Sequence, residues 1–201
     1  MQLPKAFISG LLLLSIAPGA SAQNVVQASS VTLQPQVSRD DIGFNSCGVR
    51  AIVIDAKPGS MDAYDFTLAI RNGSIVGMIK AGKANTTNES MIKGKPNTSP
   101  VRPGPINFWI AKESEGKSLR PLKIIPADTP GMILGATELT MTAYIMMGIM
   151  DGERMQFSTK FKNEQVETVV AFARRMPENE RQPLLDCLHE LVDRMKMKTE
   201  N

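Results

Sequence analysis

Apolar and polar positions alternate most cleanly where Tyr64, Phe66, Leu68 and Ile70 interleave with Asp65, Thr67, Ala69 and Arg71. A period of two sends successive side chains to opposite faces, so this segment predicts a strand with one face in a core and the other in solvent. Asn72-Gly73 follows directly and a β-rich pattern resumes over 75–80, which predicts a hairpin closed by a type I′ turn. Upstream, residues 49–56 centre on Ala51-Ile52-Val53-Ile54 and end at Lys57-Pro58-Gly59, a strand followed by turn chemistry. Strands are also expected over 106–111 and 119–125, with a turn at 126–131. In the segment 139–150, Leu139, Met141, Ala143, Ile145, Met147 and Ile149 alternate with Thr140, Thr142, Tyr144 and Met146. That pattern predicts a further strand, with Asp151-Gly152 as a second hairpin turn and 154–161 as the return strand. Residues 167–173 fit a strand by the Val169-Val170-Ala171-Phe172 run or a short helix by the spacing of Val166, Val169, Val170 and Ala173, and the strand is the preferred reading.

The period changes near the end of the chain. Leu184, Leu185, Cys187, Leu188, Leu191, Val192 and Met195 share one arc of a helix expected over about 179–196, with Asp186, His189, Glu190, Asp193 and Arg194 on the other. Asn179 and Gln182 stand at capping-box spacing, and Pro183 falls in the first turn, where its missing N–H does little harm. About seven strands followed by one helix predict an α+β fold. Its mainly antiparallel sheet, a β-sandwich or a meander, packs against the C-terminal amphipathic helix.

The N-terminus carries an address. Lys5 precedes an apolar run over 7–17 with Leu11, Leu12, Leu13 and Leu14 at its centre, and Ala20-Ser21-Ala22 supplies the small residues of a cleavage site. Residues 1–22 read as a secretory signal peptide, which makes the mature chain periplasmic or secreted and starts it at Gln23. No later stretch has the apolar length of a membrane span. Residues 23–41, rich in Gln, Ser and Val without sustained period, read as a flexible leader, and 42–197 as a single globular domain. Export gives meaning to the two cysteines: in an oxidising compartment Cys47 and Cys187 are most simply one disulfide, joining the first strand to the last helix.

Composition excludes more than it proposes. The 201 residues hold 23 Lys+Arg against 20 Asp+Glu, a net charge of +3, which is too small for a nucleic-acid-binding face. The single histidine, in His189-Glu190-Leu191-Val192-Asp193, lacks the second histidine of a zinc helix and lies on the polar arc, so neither a metal site nor histidine-based catalysis is expected. No GxSxG, GxGxxG or P-loop pattern occurs. Among 13 methionines, Met141, Met146, Met147, Met150 and Met155 cluster around the second hairpin. Thioethers suit Cu(I), but Met146 and Met147 point to opposite faces of a strand, and packing accounts for the cluster. No cofactor is expected. Asn72, Asn85, Asn88 and Asn97 each satisfy N-x-[ST], which matters only in a eukaryotic secretory host.

Residues 81–104 read as a long basic loop, where Lys80, Lys83, Lys93, Lys95 and Arg102 face Glu89 alone. Trp109, the only tryptophan, follows in the next strand as core or as the anchor of a contact. These six residues are the expected partner-binding set, the partner being a protein or an anionic envelope component. The function expected is that of a small exported, non-enzymatic binding protein using this loop or a sheet face. The alternatives are an immunity protein or inhibitor of a cell-wall hydrolase, and a carboxylate-dependent enzyme on envelope polymers.

Overall fold

A computed structural model describes residues 23–41, 43–58, 60–87 and 103–199. Among these, eleven strands form two sheets and two helices pack with them. The strands are β1 Gln23–Gln27, β2 Ser30–Asp40, β3 Gly43–Lys57, β4 Ser60–Arg71, β5 Val76–Thr87 and β6 Asn107–Lys112. They continue with β7 Ser118–Leu119, β8 Lys123–Pro126, β9 Met132–Glu138, β10 Met155–Lys160 and β11 Glu167–Phe172. The helices are α1 Leu139–Asp151 and α2 Glu178–Thr199. One sheet runs β1-β11-β10-β6-β7 and the other β2-β3-β4-β5-β9-β8. Every pairing is antiparallel except β1 with β11. The α+β, mainly antiparallel architecture with a C-terminal helix is therefore as the periodicity predicts, with two sheets face to face.

The inner faces meet through aromatic side chains. Phe66 of β4 stacks on Phe157 of β10 at 4.4 Å between ring centroids and lies 5.8 Å from Phe172 of β11. Such pairs add about 0.5–1.5 kcal/mol each beyond the area they bury. Val49, Ala51, Val53, Tyr64, Leu68, Ile79 and Ile110 complete this layer, all essentially inaccessible. Helix α2 lies across β2 and β3, burying Leu184, Cys187 and Leu191, whereas Val192, expected on the same arc, is 42% exposed. Cys47 of β3 and Cys187 of α2 form a disulfide with Cα atoms 5.8 Å apart, closing a separation of 140 residues.

Several local expectations are corrected. Residues 23–40, expected as a flexible leader, are two strands, because main-chain pairing with β11 and β3 needs no hydrophobic period in the added strand. The segment expected as a strand over 139–150 is helix α1. Of its buried residues, Thr142, Ile145, Met146, Ile149 and Met150 form an i, i+3, i+4, i+7, i+8 stripe that the nearly apolar composition of both strand faces disguises. Glu138 caps α1 by accepting the N–H groups of Thr140 and Met141. Those hydrogen bonds hold its carboxyl below the usual glutamate range. Asp151-Gly152 is accordingly no hairpin: Gly152 ends α1 at φ 80°, its own N–H bonded to Ile149 and that of Glu153 to Gly148. The Asn72-Gly73 hairpin has positive φ at Gly73 only, and Ser74 N–H bonds to Arg71 O, so the turn is of type II form rather than I′.

The expected helix begins at Glu178, with the N–H groups of Glu180 and Arg181 bonded to Pro177 O, so Asn179 lies inside the first turn rather than at the cap. The basic loop starts later than expected, because β5 runs through Thr87; residues 88–102, like 1–22, lie outside the described residues. No helix among the described residues is long and apolar enough to cross a membrane.

Replacing both Cys47 and Cys187 by alanine releases a loop whose closure in the chain-entropy account is worth about 4–5 kcal/mol. Urea unfolding of the pair variant should lose several kcal/mol against the oxidised protein; a loss under about 1 kcal/mol would place the stability elsewhere. Glu138→Ala should lower stability at neutral pH by removing the acceptor for the first N–H groups of α1. Because the folded-state pKa is depressed, the cost should shrink as pH falls from the ordinary glutamate range through the lower folded-state value, a difference readable from paired melts.

Candidate functional site

Strand parity decides which residues the six-stranded sheet presents to solvent. With Val49, Phe66, Ile79 and Ile133 facing the core, their neighbours Arg50, Thr67, Lys80 and Leu134 must face outward. Register then aligns them. Gln34, Arg50, Thr67, Lys80, Leu134 and Ile125 are successive cross-strand partners, one straight row across the whole outer face. The flanking rows carry small residues: Gly48 and Ala69 on one side, Gly82 on the other. A groove of about 420 Å³ opens here, lined by Gln36, Arg50, Asp65, Thr67, Ala69, Met78, Lys80, Thr129, Met132 and Leu134. A smaller apolar hollow of about 160 Å³ shares Met78 and Leu134 and extends to Val76, Ile125 and Ala136 on the β8 side.

Two ion pairs stand in the groove and differ in kind. Arg50 meets the carboxylate of Asp65 with two parallel hydrogen bonds, Nε to Oδ1 at 3.0 Å and Nη2 to Oδ2 at 2.5 Å. The Asp65 side chain is 24% exposed, so this fork is part of the floor. Lys80 Nζ donates to Asp128 Oδ1 and to Thr129 Oγ1, each at 2.7 Å. Asp128 rides on the turn between β8 and β9 with 88% of its side chain exposed. The Lys80 ammonium lowers the Asp128 carboxyl below the ordinary aspartate value through their hydrogen bond and charge. Apolar Met78, Met132 and Leu134 lie beside these charges, and Met132 rests over Gly82, where any Cβ would meet its sulfur at 2.2 Å. Thioether side chains adapt to varied contacts, and a surface of this composition can hold an amphipathic chain.

The residues expected to bind a partner do not converge. Lys80 lines the groove. Lys83, three positions along β5, has opposite parity and points inward: its side chain is 7% exposed, its Nζ is 3.1 Å from Asp62, and the Tyr64 and Phe161 rings lie at 5.2 and 5.9 Å. Trp109 is on the outer face of the other sheet, 7% exposed, its indole N–H donating to Glu167 at 2.9 Å with Arg120 over the ring. Lys93, Lys95 and Arg102 lie outside the described residues. Register and the β8–β9 turn contribute Arg50, Asp65, Met78, Asp128 and Met132, which no local spacing singles out.

The remaining clusters are structural in form. Met146, Met150 and Met155 are core residues with no exposed surface. Lys112, also buried, sits 3.6 Å from the centre of the Tyr144 ring and 3.0 Å from Glu153. Burial depresses the Lys112 ammonium, but the Tyr144 ring and the Glu153 carboxylate beside it outweigh that effect and raise its pKa. His189 is exposed on α2. Among the described residues no three His, Cys, Asp or Glu side chains gather as a metal-binding group.

A carboxyl-detected NMR titration should place the Asp128 midpoint below that of a free aspartate, and Lys80→Met should move it up; an unmoved midpoint would dissolve the pair.

Comparison with protein-family models, with curated proteins and with solved structures returns no match, so the functional reading rests on the chemistry of this groove.

Proposed function

We propose that this chain is a small exported binding protein that performs no chemistry of its own and holds a partner, a protein or an anionic envelope component, on the outer face of its six-stranded sheet. The observation that carries the reading is the groove itself: a recessed, mixed apolar and charged row on a sheet face, backed by a rigid two-sheet core. Binding sites combine apolar lining with a few fixed polar groups, and Arg50, Thr67, Lys80 and Thr129 beside Met78, Met132 and Leu134 have that composition. A stapled sandwich suits such a role, since a preformed surface spends little conformational entropy on association. Export, which the N-terminal pattern predicts, agrees with the intramolecular disulfide.

The test is capture from an envelope extract by immobilised, oxidised mature chain, in parallel with Ala69→Arg, which fills the groove floor, and Gln156→Arg on the other sheet as control. Quantitative binding of the captured species should fall at least about tenfold for Ala69→Arg and hold for the control. Equal binding by all three chains would remove the groove from consideration.

A further inference from the structure

The two ion pairs of the groove imply what its partner carries. Asp65 is fixed: its two-bond fork with Arg50 is partly buried and both groups belong to the same sheet. Asp128 is of another kind. It reaches Lys80 from an exposed turn at the edge of the groove and accepts from Lys80 Nζ at 2.7 Å and from the Thr129 hydroxyl at 3.3 Å. An exposed ion pair holds its partners weakly, because solvent screens the attraction and the free side chain regains its rotamers. An incoming carboxylate that replaces Asp128 leaves the charge balance unchanged and regains the same two hydrogen bonds.

From this we infer that Asp128 is an intramolecular stand-in for an acidic side chain of an extended protein segment, which displaces it and lies across the strands of the six-stranded sheet. The inference rests on the groove being the binding surface and names the chemistry of what it holds. The row gives the footprint. Lys80, Leu134 and Ile125 are consecutive cross-strand partners, so a chain crossing them meets one cation and then two apolar side chains, the last 45% exposed. Arg50, two strands from Lys80, stays committed to Asp65 and leaves Lys80 as the cation an incoming acid meets. Lys123, a partner of Ala136 on the adjoining row, adds a second cation at the apolar end. Charge complementarity therefore selects an acidic and apolar sequence over a basic one. Recession selects a chain over a bilayer: the Lys80 side chain is only 29% exposed, beside a floor of Ala69 and Thr67, and a flat headgroup plane touches the rim first.

The probe is a fluorescein-labelled peptide with Glu, Leu and Leu at alternate positions and Ser between them, so that all three share one face of an extended chain; it is read by polarisation against mature, oxidised protein, with the same peptide carrying Lys in place of Glu and phosphatidylglycerol vesicles as comparisons. The acidic peptide should bind saturably, lose about tenfold affinity with Lys80→Gln and gain severalfold with Asp128→Asn, which removes the charge that competes for Lys80. The inference is overturned if the acidic peptide shows no saturable binding below about 1 mM, if neither substitution alters its affinity, or if the basic peptide or the vesicles bind as tightly. These outcomes separate from the broader reading: Ala69→Arg abolishing partner capture while Lys80→Gln and Asp128→Asn leave it unchanged would keep the groove and discard the acidic segment.

Discussion

Burial of one sheet face against the other is the constraint from which the rest follows. Once Phe66 is committed to stack on Phe157, every residue of β4 has its side assigned, and pairing passes that parity to β3, β5 and β9. A one-residue slip would turn Val49, Leu68 and Ile79 into solvent and Arg50, Thr67 and Lys80 into the core, at a cost far beyond the marginal stability of a domain. The outer face therefore has a fixed composition and order, which is what gives a sheet surface the definition of a site.

The same rule places charge inside. Lys83 inherits inward parity from Ile79 and Ala81, and Asp55 and Asp62, directly opposite one another on β3 and β4, inherit it from Val53 and Tyr64. Two carboxylates in that relation repel. Lys57 at 2.8 and 3.7 Å from the two, with Lys83 on Asp62, balances them. Lys112 at the end of β6 is treated likewise by Glu153 and the Tyr144 ring. Removing one member of such a group leaves a charge desolvated without compensation, so these clusters hold register as well as energy. It also follows that a count of lysines along β5 says little about the surface: Lys80 and Lys83 share a strand and a sign but sit on opposite sides of the sheet.

Much of the architecture is legible in the chain. Strict alternation over β4, the apolar centre of β3 and the amphipathic period of α2 announce their elements, and an even cysteine pair on core-facing positions announces the bridge. The misread segments are those where pattern carries little information. Helix α1 is apolar almost all round, so periods of two and of 3.6 fit it nearly equally. Its identity came from the Glu138 cap, the Gly152 terminus and the burial of one helical stripe against β4, β5, β6 and β9. Strands β1 and β2 hold few core residues and are ordered by main-chain hydrogen bonds to partners far along the chain.

The sequence by itself determined the class of fold, the helix that ends it and the chemical pairing of Cys47 with Cys187, because each is written in local periodicity or in a count of two. Only the tertiary structure decided the groove. Arg50, Thr67, Lys80 and Leu134 come from four strands, and the Asp128 turn arrives from a fifth direction; none is near another in sequence except through register. Local pattern gives each side chain a face, but neighbours across strands are chosen by the burial of the opposite face, which is a property of the assembled core.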